Sequence, residues 1–262
     1  ATLDAAELAA RLRSSSVVSV KAATHPVAVT YRAPEPGQDI TAAMVATIMS
    51  VLGDDAHCGD VLAFLPGAAA INRVARNLRT GLGSRVGIEL AITPLHGSLT
   101  ADEQDQALRP DPSGRRKVIL STPIAETSVT IDGVATVIDS GLRRRPAIDH
   151  GRGMSRLRTV TASRAAADQR AGRAGRQQPG SCIRLWAMAD NTHRPADEPA
   201  EIEIADLAAL ALDIAAWGAT EPDELPWLDT PPPVAFGQAR ETLASLGAID
   251  DQHRLTNHGR AM

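Results

Sequence analysis

Apolar positions along the chain fall into two alternating rhythms. Short apolar runs read as strands: "VVSV" at 17–20, "VAVTY" at 27–31, "VLAFL" at 61–65, "VGIELAI" at 86–92, "KVILST" at 117–122, "VATVIDS" at 134–140 and "SCIRLW" at 181–186. Segments with helical spacing lie between them. "DITAAMVATIMSVL" at 39–52 has Asp39 or Thr41 as a cap, and "AAAINRVARNLRTGLG" follows Pro66-Gly67. "LTADEQDQAL" opens on Thr100 with Glu103 three residues later, the signature of a capping box. Strands alternating with helices predict an α/β fold, a parallel sheet covered by helices on both faces. Ligands of such sheets sit in loops at the carboxyl ends of strands. The loops to watch are "PGAAA", "PLHGSL", "TPIAETSVT" and the segment after residue 140.

The rhythm changes twice. "LRRRPAI" and "MSRLRTVTA" flank "DHGRG", which predicts a β-hairpin near 143–160 inserted into the first domain. From about residue 190, "NTHRPADEP" reads as a linker, and "EIEIADLAALALDIAAWG" as a helix ending at a Gly218 cap. "PDELPWLDTPPP" is a connector and "VAFGQARETLASLGAID" a second helix. A first domain over 1–196 and a small helical one over 197–262, stopping abruptly, are the expected organisation.

Composition narrows the chemistry. Only 2% of the 262 residues are aromatic against 44% hydrophobic, so the core must be aliphatic and alanine-rich. Cys58 and Cys182 make neither a metal pattern nor a disulfide framework, and no apolar run has the length of a membrane span. These features suit a cytoplasmic protein without a membrane or metal site of its own. The net charge of −4 conceals a segregation: residues 141–176 hold ten arginines against Asp149 and Asp168, whereas the chain after 197 is acidic. Clustering of this kind marks a local polyanion site.

The stretch "QRAGRAGR" at 169–176 sits in what reads as a helix from Ser163. Helical spacing puts Gln169, Gly172, Arg173 and Arg176 on one face, with the glycines thinning the backbone for a bulky ligand. A guanidinium suits a phosphate chain because it donates paired hydrogen bonds and keeps its charge. The plain alternative is a surface helix with solvated arginines.

These residues resemble motif VI of the DEAH-type superfamily 2 helicases. "STPIAETSVTIDG" resembles their motif V, "VLAFLPG" their motif IV strand and "PLHGSLTADEQ" the segment after it, all in family order. The stretches "RPAIDHGRGMSRLRTVTASRAAADQRAGRAGR" and "AAWGATEPDELPWLDTPPP" are similar to the bacterial HrpB branch. The opening "ATLD" is similar to the end of motif III, and neither a G-x-x-x-x-G-K-[ST] loop nor a strand ending in Asp-Glu occurs. The resemblance therefore implies the second RecA-like domain of an ATP-dependent helicase, followed by the start of a winged-helix-type module. ATP with Mg²⁺ would be bound mainly by an N-terminal RecA-like domain of the same protein, and this half alone would be inactive as an ATPase.

On that resemblance Arg173 and Arg176 are arginine fingers, and Gln169 contacts the γ-phosphate or the attacking water. Thr130 and Asp132 lie near the nucleotide. Single-stranded RNA or DNA would meet Thr122, Pro123, Gly97 and Ser98, with Pro123 standing where the family has Asn. Arg144, Arg152 and Arg156, with Arg143, Arg145 and Arg158, would track phosphates along the hairpin. Arg170, off the finger face, reads as structural and paired with an acid. Two other readings stand beside this one: a nucleic-acid-binding module without nucleotide chemistry, and a regulatory nucleotide-binding fold.

Overall fold

The computed structural model describes residues 9, 16–18, 25–54, 57–82, 89–126, 129–149 and 154–262. The chain divides into two compact units, Ser19–Arg144 with Thr159–Glu198, and Arg145–Arg158 with Pro199–Met262.

The first unit is built on a six-stranded sheet. Its strands are β1 (Val27–Tyr31), β2 (Asp60–Phe64), β3 (Leu90–Leu95), β4 (Arg116–Ser121), β5 (Val134–Asp139) and β8 (Gly180–Arg184). They run in the order β1-β8-β5-β2-β4-β3, and every pairing is parallel. The apolar runs of β2, β4 and β5 are central, so both faces are covered and the near-continuous hydrophobicity follows. One core layer joins Val61, Ala63, Val118 and Leu120 to α1 (Ile40–Leu52) and α2 (Ala68–Leu82) through Met44, Ile48, Ile71 and Leu78. The other layer groups Leu62, Phe64, Ile119 and Val137 with Ala107 of α3 (Ala101–Leu108) and Ala171 of α4 (Arg164–Ala171).

Thr100 and Glu103 form the expected capping box: the Glu103 N–H donates to Thr100 Oγ1 at 3.3 Å and the Thr100 N–H to Glu103 Oε2 at 2.8 Å. β3 covers the later part of the run read at 86–92 and continues to Leu95; residues 86–88 lie outside the described residues. The strand read at 17–20 falls partly outside the described residues; Val17 and Val18 are exposed and belong to no strand. The segment read as a linker is tied down instead. Met188–His193 forms a 3₁₀ helix, and Glu198 accepts the Ser163 N–H at 2.8 Å and pairs with Arg143 at 3.0 Å. Burial pushes the Glu198 carboxyl upward, but the Ser163 hydrogen bond and the Arg143 charge outweigh it, leaving a net lowering.

The hairpin is present as β6 (Leu142–Asp149) and β7 (Met154–Thr161). In the second unit, α5 (Glu201–Ile204), α6 (Ala208–Trp217) and α7 (Pro233–Ser245) enclose a core that includes Leu207, Ile214, Phe236 and Leu243. The single helix expected from 201 onward is broken, because Asp206 Oδ1 accepts the Ala208 N–H at 2.8 Å and starts a new helix there. Gly218 closes α6 in the left-handed conformation, φ 94°, as its position after the last helical residue implies.

Candidate functional site

Two segments of the first unit run side by side in the same sense, from the carboxyl ends of the strands towards their amino ends. One, described over 122–126 and 129–133, leaves β4 and enters β5; the other, 163–180, carries α4 and enters β8. They are joined by successive rungs. Arg170 Nε donates to Glu126 Oε1 at 2.7 Å. The Arg173 guanidinium donates to the carbonyls of Glu126 and Val129. Arg176 Nη1 donates to Thr130 Oγ1 at 2.7 Å. Gln177 donates to Asp132 Oδ1 at 2.7 Å and accepts the Gly133 N–H at 3.0 Å.

The structure corrects the helical face drawn for Gln169, Gly172, Arg173 and Arg176. α4 ends at Ala171 with Gly172 as its cap, so Arg173 and Arg176 project from the turn beyond it. Gln169 is half-buried on the last turn of the helix. The glycines also differ in purpose. A Cβ on Gly175 would stand 2.5 Å from the His25 carbonyl and 2.7 Å from Val27, so this glycine lets the turn pack against the entry to β1. Gly172 is exposed and a Cβ there would meet only backbone at 3.4 Å or more. Gly175→Ala is expected to destabilise the unit by about 1–3 kcal/mol through overpacking against rigid backbone, measurable by urea unfolding, whereas Gly172→Ala should not.

The three arginines have distinct environments. Arg170 is fully buried, 2.7 Å from Asp139 and 2.5 Å from Glu126, with its guanidinium 5.2 Å from the Phe64 ring centre. It is the structural arginine expected, and its acids are now identified. Arg173 is 6% exposed. Burial, then the neighbouring charge of Arg176, lowers its pKa to about 10 against the opposing pull of Glu126, so it remains a cation at neutral pH. Arg176 is exposed beside the exposed Thr130 and Asp132. A solvent-facing cation, hydroxyl and carboxylate therefore share one surface.

Residues expected at a nucleic-acid strand gather at the carboxyl ends of the sheet. The Thr122 N–H donates to the Leu95 carbonyl at 3.1 Å, joining the loops after β3 and β4. Gly97 and Ser98 are exposed just beyond, with Ser98 Oγ 2.9 Å from His96 Nδ1. Pro123 starts a 3₁₀ turn, Pro123–Ala125. Arg144 lies across Gly67 at the end of β2, where a glycine Cβ would stand 2.9 Å from Arg144 Cδ. Arg156 is exposed on β7, and Arg152 lies outside the described residues. Among the described residues, no group of three His, Cys, Asp or Glu side chains could hold a metal ion. No helix there is long and apolar enough to cross a membrane.

Sequence reasoning passed over Glu126, Asp139, Gln177 and Arg194. Asp139 had a signal, since a carboxylate ending an otherwise apolar central strand needs a buried cation. Gln177 had none.

The family model for the helicase conserved C-terminal domain matches residues 41–178, and these include both rung-forming segments up to Gln177. The chain belongs to that family. It is 36% identical over 262 residues, all of its length, to the ATP-dependent RNA helicase HrpB of Escherichia coli (strain K12), of which it covers 32%. It is 35% identical over 245 residues, 93% of its length, to a probable ATP-dependent RNA helicase DHX35 homolog of Caenorhabditis elegans, of which it covers 33%. A crystal structure of the E. coli DExH-box NTPase HrpB superposes on 99% of the chain with a TM-score of 0.86 and 36% identity, and the chain covers 31% of that protein. A second crystal structure, of the E. coli DEAH/RHA helicase HrpB, gives a TM-score of 0.88 at the same identity. The parallel sheet is thus a RecA-like helicase domain of the DEAH type. The chain spans about a third of the length of these relatives.

Proposed function

We propose that this chain is the part of an ATP-dependent RNA helicase that supplies the arginine side of the ATP site and part of the single-strand track. The single observation that supports it best is Arg176, solvent-facing and held on Thr130 next to Asp132 at the outer end of the paired segments. In this reading Arg176 turns from the Thr130 hydroxyl to the γ-phosphate. Arg173, still charged, follows from its seat on two carbonyls. Gln169 reaches the γ-phosphate or the attacking water, and Asp132 faces the ribose. Bound ATP with Mg²⁺ supplies the phosphoryl transfer whose developing charge such guanidiniums stabilise.

Thr122, Pro123, Gly97, Ser98 and Arg144 line the strand side, with Arg152 and Arg156 along the hairpin, where contacts to phosphates are insensitive to sequence and weaken with salt. In this reading the RecA-like domain spans 1–196 and a winged-helix or helical module includes 197–262. The Mg²⁺ and triphosphate are gripped by another RecA-like domain of the same cytoplasmic protein, and this chain alone hydrolyses no ATP. A pure nucleic-acid binder explains the hairpin but gives no purpose to an exposed Arg176–Thr130–Asp132 surface.

The test is ATP hydrolysis by the full-length protein, with and without single-stranded RNA or DNA, beside this chain alone. Mg²⁺-dependent, RNA-stimulated turnover by the full-length protein and none by the chain is the expected result. Turnover by the chain alone, or none by either, overturns the reading.

A further inference from the structure

The open end of the hairpin is held by two buried guanidiniums from different parts of the chain. Arg194 Nη1 donates to the Gly141 carbonyl at 2.8 Å and to the Ala162 carbonyl at 3.0 Å, the residues that bracket β6 and β7. Its guanidinium lies 3.9 Å from the Trp186 ring centre. Arg170 holds the same stem from the sheet side, donating from Nη1 to the Leu142 carbonyl at 3.2 Å and to Asp139 Oδ1 at 2.7 Å. That same Asp139 oxygen accepts the Gly141 N–H at 2.8 Å. Asp139 is fully buried, so its charge is tolerable only while both partners stay in place.

On its other side Arg170 grips the Glu126 carboxylate, while the Glu126 carbonyl accepts from Arg173. The contacts form one unbroken path, from Arg173 through Glu126 and Arg170 to Asp139 and the hairpin stem. The Ala162 N–H donates to the Gly141 carbonyl at 2.9 Å and Arg194 bridges the same two residues, so closure does not require the second clamp. What the second clamp adds is a connection to the arginine turn.

We propose that Asp139 is a positioning residue that ties the hairpin stem to the motif VI turn through Arg170, so that the seating of Arg173 sets the stem. The proposal rests on the helicase reading above. When Arg173 leaves the Glu126 carbonyl for a phosphate, Glu126 and Arg170 readjust together, because a close-packed network changes between discrete arrangements rather than deforming smoothly.

The test uses the full-length protein and Asp139→Asn, which keeps the side-chain shape and the accepting oxygen but removes the charge. Hydrolysis without nucleic acid is expected to stay within about twofold of the parent, while base pairs opened per ATP hydrolysed fall about tenfold, the size of an ordinary coupling between sites. Unwinding and hydrolysis that fall in proportion, or an unchanged ratio, overturn the proposal. Hydrogen exchange on the parent protein provides a test independent of the variant's folding. Amides of Gly141 and Leu142 should change protection when a non-hydrolysable ATP analogue binds, and unchanged protection overturns the proposal. A parent protein without ATPase would remove the helicase reading itself, and this proposal with it.

Discussion

Arg176→Ala in the full-length protein is expected to lower ATP turnover by about 10³-fold or more at saturating RNA, the effect of removing an arginine finger. Single-strand affinity should change by less than about threefold, since one exposed cation away from the carboxyl ends of the sheet adds little to phosphate binding. The split follows from geometry. Among the described residues Arg176 donates its hydrogen bond to Thr130, apart from the other rungs, so its removal leaves those at Arg170, Arg173 and Gln177 intact. Arg176→Lys should restore little, because an ammonium lacks the planar fork that matches phosphate oxygens. Steady-state kcat and titration with a fluorescent oligonucleotide measure the two quantities. Turnover that stays within about tenfold of the parent denies Arg176 the finger role.

Arg170→Ala is expected to act on stability first. Its guanidinium lies between the carboxylates of Asp139 and Glu126, and its removal leaves buried charge without a partner, a loss of about 3–5 kcal/mol for a broken buried pair. That is a large share of the stability of an ordinary domain. Urea unfolding of this chain should show a much lower midpoint, with Arg176→Ala near the parent value. Adding Glu126→Gln to Arg170→Ala should recover part of the loss by removing one of the stranded charges. A midpoint shift no larger than that of a surface substitution would mean that the cluster stabilises nothing.

The two arginines stand six positions apart in one stretch of sequence, and that contrast shows what was legible. The alternation of apolar runs and helical segments was enough to place β1, β2, β4, β5, β8 and the helices between them, since a parallel sheet buried on both faces leaves a strong signature. The capping box at Thr100 and the Gly218 cap were legible for a similar reason, because each depends on residues a few positions apart. The α4 boundary was not. Ser163 and the alanines favour a helix, but the helix stops at Ala171 because Arg173 reaches back to motif V carbonyls and Gly175 must pack against His25. Those partners lie 44 or more positions away in the chain.

Sequence alone named the kinds of group proposed for the site: guanidiniums, a glutamine, a threonine and an aspartate in a familiar order. It also separated Arg170 from its neighbours as a structural residue. Only the tertiary structure decided which guanidinium faces solvent, which is spent on carbonyls, and which acids neutralise the buried one. The physical reason is range. Periodicity and capping are local and leave their mark on neighbouring letters, whereas burial and ion pairing depend on segments brought together only once the sheet has closed.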